Sequence, residues 1–362
     1  MKKVKFDYRK RITFINRRQE LKFLEDYVNE EPDSMLFLHG PKSSGKTTLL
    51  YKFLEDIKKK QDLDVKFLNL REKLISNYKD FIRVFFGIDY SRSKDDVKEK
   101  CEYSLFNFFK LSVEALKGVE SGELDPFEVM KAEFIKFHKK GKKPVVIIDE
   151  LQALGKVYID NDKERQLIIA LFNFFVAMTK ESHLAHIIIA SSDGYFINTV
   201  YNDSRLKKTS RFYRVNYLGK ADVMEWLLNL KKYSKIKAYT LTKDDIEQIW
   251  DTVGGSMWEI QDILSQLFEN PIDEVLANYK QKIAGMITYY IVQKEREKRE
   301  KILSRFIDND QLRVRDTNVE DVELLRDMVT NNILYFDPTL AVYYPQGKSY
   351  EWGIKLYFES IT

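Results

Sequence analysis

Met35-Leu36-Phe37-Leu38-His39-Gly40-Pro41-Lys42-Ser43-Ser44-Gly45-Lys46-Thr47-Thr48-Leu49-Leu50-Tyr51-Lys52-Phe53-Leu54 is the stretch that decides the fold. Its first five residues form an apolar run that reads as a buried parallel strand, and from Thr48 onward apolar residues recur at helical spacing. Between them Gly40, Gly45, Lys46 and Thr47 stand at the spacing of a Walker A loop, in the strand–turn–helix context that such a loop requires. Gly40 and Gly45 let the backbone curl so that successive N–H groups face one anion, aided by the positive end of the helix that follows. Lys46 brings a point charge to the β- and γ-phosphates, and the Thr47 hydroxyl is placed to hold Mg²⁺. The pattern implies that Gly40, Pro41, Lys42, Ser43, Ser44, Gly45, Lys46, Thr47 and Thr48 bind a nucleoside triphosphate.

Working outward, Val145-Val146-Ile147-Ile148-Asp149-Glu150 supplies the acids that such a loop needs. Four apolar residues make a strand buried on both faces, so Asp149 emerges at its C-terminal end, where open α/β sheets bind ligands. Asp149 is the candidate to orient Mg²⁺, and Glu150 the candidate general base for an attacking water. Ile187-Ile188-Ile189-Ala190-Ser191-Ser192 is a second apolar strand, expected between the two just described. Its Ser191 or Ser192 is a candidate γ-phosphate sensor, set against a plain Ser-rich turn ahead of Asp193-Gly194. Arg205 and Arg211 follow as candidates to stabilise transition-state charge, in this subunit or a neighbour's, with Arg211 preferred.

Five apolar runs, at 35–39, 65–70, 145–149, 186–191 and 212–218, alternate with helical stretches. That alternation predicts an α/β fold, a P-loop core on a five-stranded parallel sheet. The expected organisation is a core over 1–218 with a helical insertion at about 71–143, a helical lid over 219–275, and a winged-helix-like domain over 276–362. The insertion carries aromatic segments at 81–86 and 105–109, expected to pack within the chain. Thr242 with Asp245 predicts a capping box, Pro271 a boundary, and 283–302 a helix ending in an exposed run of alternating charge. A helix over 319–330 and a hairpin from 333–336 and 341–345 complete the outline of a winged helix.

The chain has 362 residues, 44% hydrophobic and 32% charged, with a formal net charge of +4. So small a net charge does not itself call for a nucleic-acid partner, and basic clusters such as Arg9-Lys10-Arg11 read as solvated surface. The single cysteine, Cys101, forms no internal disulfide, and no Cys/His spacing suggests zinc. The N-terminus is basic but lacks an apolar signal core, and the most apolar run, 167–178, is too short for a membrane span. The expectation is a cytoplasmic protein without a membrane partner.

These motifs, in this order, resemble the archaeal ATPase family, the STAND branch of the AAA+-like P-loop proteins. Phe14-Ile15-Asn16-Arg17-Arg18-Gln19-Glu20-Leu21 is similar to that family's opening box, which implies that Arg17 lies at the adenine. Asp149-Glu150-Leu151-Gln152 resembles its Asp-Glu-aromatic-Gln run, with Leu151 in the aromatic position. Ser210-Arg211 resembles the Gly-Arg pair ahead of the fifth strand. Gly254-Gly255-Ser256-Met257 resembles a Gly-Gly-x-Pro at a helix start, implying that Gly255 approaches nucleotide, with Met257 where the family has proline. The resemblance implies ATP as the nucleotide, Mg²⁺ as its metal, and hydrolysis driving a conformational switch or assembly.

Two other functions compete. A P-loop core with a winged helix is also the plan of DNA-binding replication initiators and mobile-element proteins. Against this, residues 280–362 carry 13 Lys and Arg and 13 Asp and Glu, whereas phosphate recognition calls for a basic surface. A slow or non-hydrolysing interaction module, docking a protein client or a second copy through the aromatic segment 78–113, is the third.

Overall fold

A computed structural model describes residues 14–58, 60–86, 117–119, 121–160, 164–204 and 206–361. The basic cluster at 9–11, Cys101, the aromatic segment 105–109 and Arg205 lie outside these. The described chain divides into two compact units, one of residues 19–39 and 47–214, the other of 14–18, 40–46 and 215–361.

The first unit is built on a parallel sheet of β1 (Met35–His39), β2 (Leu63–Asn69), β3 (Lys143–Asp149), β4 (His186–Ala190) and β5 (Ser210–Arg214). The order is β2-β3-β4-β1-β5, with every neighbouring pair parallel. β1 and β4 are buried at all five positions, as continuous apolar runs must be when helices cover both faces. The expected place of β4, between β1 and β3, is realised. β5 corrects the expected 212–218: its pairing with β1 closes at His39↔Arg214, because β1 itself ends there. The following residues 215–218 belong to the other unit.

Around this sheet lie α1 (Arg18–Asn29), α2 (Lys46–Ile57), α3 (Tyr78–Phe85), α4 (Pro126–Lys139), α5 (Leu167–Val176) and α6 (Gly194–Asn202). Side-chain caps start three of them. Asn77 accepts from the Asp80 N–H, Asp125 from Phe127, and Asp193 from Tyr195 and Phe196. The aromatic segment is core within its described part: Phe81, Ile82, Phe85 and Phe86 are fully buried. These four side chains are therefore not available as a docking surface, and residues 87–113 of the segment lie outside the described residues.

The second unit contains α7 (Lys220–Leu228), α8 (Leu230–Tyr233), α9 (Lys243–Val253), α10 (Met257–Gln266), α11 (Ile272–Gln293) and α12 (Arg296–Leu303). They are followed by β6 (Leu312–Arg313), α13 (Val322–Thr330), β7 (Leu334–Asp337), β8 (Val342–Pro345) and α14 (Lys348–Ile361), the strands forming an antiparallel sheet in the order β6-β8-β7. The Thr242–Asp245 capping box is present, with bonds of 2.7 and 3.1 Å. The long helix departs from expectation. It starts directly after Pro271 and stops before Glu295, whose left-handed φ of 47° breaks the charge run into two helices. Nor is that run wholly exposed. Arg299 is buried, bonded to Asp327 at 2.8 Å, with its guanidinium 3.9 Å from the Tyr290 ring centre. β6 and α14 were not anticipated. A Cβ on Gly353 of α14 would stand 2.6 Å from Ile283, so the glycine lets α14 lie close against α11. Among the described residues, no helix is long and apolar enough to cross a membrane.

Candidate nucleotide site

In the second unit, the loop between β1 and α2 takes the curled conformation its glycines allow. Gly40 has φ 149° and Gly45 φ 91°. A Cβ at Gly40 would stand 2.2 Å from the Val215 carbonyl oxygen, so only glycine fits. Lys46 is buried and its ammonium donates to the loop's own carbonyls, Gly40 and Pro41, both at 2.9 Å, and to Ser44 Oγ at 3.3 Å. Arg17 braces the same loop: its guanidinium donates to the Ser44 carbonyl at 2.8 Å and to the Asn216 carbonyl at 2.7 Å. It is buried, and it lies with Asn16 in a left-handed turn, at φ 67° and 49°. Two such non-glycine residues in succession store on the order of 1–3 kcal/mol each, tolerated where the surroundings over-determine them. Asn16 and Arg18, on either side of Arg17, line an open polar depression of about 410 Å³ with Phe14, Glu225 and Tyr233.

Gly255 and Met257 also belong to this unit. A Cβ on Gly255 would fall 1.9 Å from the Leu218 carbonyl oxygen, and its own carbonyl accepts the Leu218 N–H at 3.1 Å. The Met257 sulfur lies 4.0 Å from where a Cβ of Gly45 would be, so the residue in the family's proline position does approach the loop.

In the first unit the acids gather at the C-terminal ends of the strands. The Thr47 hydroxyl donates to Asp149 Oδ2 at 2.6 Å, and Asp149 is fully buried. Glu150 takes a left-handed φ of 64° and its N–H donates to the Ala190 carbonyl at 2.8 Å, tying the acid to the end of β4. Its carboxylate is held from three directions. Arg71 pairs with Oε1 at 2.6 Å, the Ser192 hydroxyl donates to Oε1 at 3.2 Å, and the Gln152 amide donates to Oε2.

The two candidate serines separate. Ser192 meets Glu150 and also accepts from Arg71 at 3.4 Å. Ser191 is wholly buried; its Oγ accepts the Asp193 N–H at 3.0 Å and its N–H donates to the Leu38 carbonyl at 3.0 Å, a backbone role. Arg211 is not brought to the acids. It stands opposite Leu36, near the start of β1, bonded to Glu30 and Asp33 at 2.8 Å each. The residue of β5 aligned with His39, at the loop end, is Arg214. Thr48 is exposed on α2.

Sequence reasoning passed over Arg71. Its signal was position: Arg71 comes two residues after β2, Glu150 one after β3, and Ser192 two after β4, all at the strand ends where α/β sheets bind ligands. The Thr47 hydroxyl and Asp149 carboxylate are hard oxygen donors side by side, a set that suits Mg²⁺. Among the described residues no cluster of three or more His, Cys, Asp or Glu is formed that would hold a metal on its own.

A curled Walker loop that follows β1 in the sequence, and a parallel sheet with this strand order, define a P-loop ATPase fold of the AAA+ kind. Residues 14–263 match the family described as an ATPase domain predominantly from Archaea, and the chain belongs to that family. It is 30% identical over 358 residues to an uncharacterized ATP-binding protein of Methanocaldococcus jannaschii, covering 94% of each chain. It is 31% identical over 351 residues to one from Pyrococcus abyssi, covering 96% of this chain and 98% of that protein. Among solved structures, the Aeropyrum pernix ORC2 protein in its ADPNP-ADP complexes is similar in fold, with a TM-score of 0.51 at 11% identity over 95% and 94% of the two chains.

Proposed function

We propose that this protein binds ATP with Mg²⁺ and hydrolyses it, using the cycle to switch conformation or assembly. The observation that carries the reading is the 2.6 Å bond between Thr47 and Asp149, with Glu150 the next residue and Lys46 the residue before Thr47. Lys46 holds the β- and γ-phosphates in exchange for the loop carbonyls it now bonds, and the loop N–H groups bind the same anion. Thr47 and Asp149 hold the metal. The chemistry Mg²⁺ supplies is neutralisation of charge on the β- and γ-phosphate oxygens.

Glu150 acts as base toward a water, after exchanging at least one of its bonds to Arg71, Ser192 and Gln152. Ser192 is the serine suited to sense the γ-phosphate. Adenine occupies the depression beside Phe14, Asn16 and Arg18, with Arg17 fixing the loop rather than touching the ring. Adenine over guanine is supported by the ATP-binding relatives. Residues 219–275 serve as a lid and 276–362 as a winged helix, a reading supported by the three-stranded antiparallel sheet and its helices α13 and α14.

Turnover of ATP by the purified full chain, with Mg²⁺ and with EDTA, is the test. Metal-dependent phosphate release that disappears in Lys46→Ala supports the proposal; release indifferent to both refutes it. DNA binding as the primary activity competes, and the charge balance beyond residue 280 speaks against it. Filter binding to duplex DNA across a salt series separates the two: the ATPase-switch reading expects no steep salt slope.

A further inference from the structure

The phosphate-binding loop is gripped by two residues from far along the chain. The Tyr217 hydroxyl lies 2.9 Å from the Lys42 carbonyl and 2.6 Å from the Gln346 carbonyl. With the Gln346 amide oriented to satisfy both its groups, its oxygen accepts the Lys42 N–H at 2.8 Å and its nitrogen donates to the Leu334 carbonyl at 3.1 Å. The Tyr217 hydroxyl thus shares its one proton between the Lys42 and Gln346 carbonyls, while the Gln346 side chain takes the Lys42 N–H. Lys42's own side chain points to solvent, whereas Gln346 is buried. Gln346 sits in the turn between β8 and α14, and Leu334 begins β7, so the grip reaches the C-terminal sheet at two strands. Gly347 lies against the Tyr217 ring, where a Cβ would stand 3.5 Å from its hydroxyl. Burial, with Glu259 and Tyr350 nearby, pushes the Tyr217 hydroxyl far above its ordinary value, so it remains a neutral donor.

We propose that Tyr217 and Gln346 are positioning residues for nucleotide binding, clamping the Lys42 peptide so that the occupied loop and the turn after β8 stabilise each other. The proposal rests on the nucleotide reading above and adds how occupancy is reported to the C-terminal sheet. A loop already held in its binding shape loses less freedom on binding, so the clamp contributes to affinity. By linkage, nucleotide strengthens the clamp by the same factor. The Lys42 peptide does not distinguish ATP from ADP, so both nucleotides share the gain. Its loss raises KM and leaves kcat in place.

The test uses the full chain. Hydrogen exchange of peptides spanning 334–350 is measured with and without MgADP, and MgADP and MgATP affinities are measured by calorimetry on the wild type, Tyr217→Phe and Gln346→Ala. The expected result is slower exchange over 334–350 in wild type on adding MgADP. Each variant should bind both nucleotides about tenfold more weakly, the value of one hydrogen bond, and lose the exchange response. The wild-type exchange measurement stands even if a variant fails to fold. A wild type that binds MgADP while 334–350 exchanges unchanged, or folded variants with affinities within twofold of wild type, overturns the clamp. A wild type that binds no nucleotide overturns the site reading, and the clamp with it.

Discussion

His186 opens β4 inside the sheet, fully buried, and among the described residues neither ring nitrogen has a well-formed hydrogen bond. The Tyr27 ring meets it edge-on at 5.2 Å between centroids. Burial, with a further push from the Lys143 ammonium, lowers its pKa from 6.5 to about 4; Arg211 acts in the same direction, while Asp33 and the Glu30 backbone oppose. A histidine held neutral in the folded state makes stability depend on pH with a definite sign. Above pH 6.5 both states are neutral and the full stability is present. As pH falls from 6.5 toward 4 the unfolded chain takes up the proton first, so stability is lost across that window. At about 1.36 kcal/mol per pH unit, the gap amounts to roughly 3 kcal/mol. Denaturant unfolding at half-unit steps from pH 7.5 to 4 should show that loss, and His186→Phe, which keeps a ring against Tyr27, should flatten it whatever the variant costs in packing. Proton NMR of the imidazoles reads the group itself. A His186 signal that titrates near 6.5 in folded protein refutes the reasoning.

Further outcomes follow from where the site residues lie. Arg211→Ala should leave ATP turnover within twofold of wild type, because Arg211 is committed to Glu30 and Asp33 at the other end of the sheet; its half-exposed ion pairs are worth under about 1 kcal/mol in thermal unfolding. The serines should divide in the same assays: Ser192→Ala lowers kcat with stability nearly unchanged, whereas Ser191→Ala costs about 1 kcal/mol of stability through its bond to the Asp193 N–H. Gly255→Ala, with a Cβ 1.9 Å from the Leu218 carbonyl, must displace backbone and should lower the melting temperature by several degrees. A Gly255→Ala protein that melts with wild type would show that Leu218 moves aside freely.

The core was legible because its signals are local. An apolar run that must be buried on both faces announces itself residue by residue, and the Walker loop fixes which strand leads into which helix. Even the place of β4 followed from those runs. Edges were less certain: β5 extends only as far as its partner β1, a fact about pairing that no stretch of 212–218 contains. The same reason hid β6, two residues long, and α14, whose interior Gly353 looks unfavourable until Ile283 is seen against it. The environment of Glu150 depended on Arg71, 79 positions earlier in the chain, and the place of Arg211 within the chain could not be read from its likeness to a motif. Register sets it opposite Leu36, so it faces Glu30 and Asp33 instead of the acids. Nothing in the sequence around Tyr217 or Gln346 points to Lys42; only the fold brings them there.

Glu150 bears the central claim, and one substitution isolates it. Glu150→Gln keeps the shape and hydrogen-bonding reach of the side chain while removing its basicity. Steady-state phosphate release and MgATP affinity, measured on the same preparation, should separate: turnover falls by about 10²–10⁴-fold, the range for removal of a general base, while affinity stays within a few-fold of wild type. Turnover equal to wild type, with MgATP still bound, would contradict hydrolysis through Glu150.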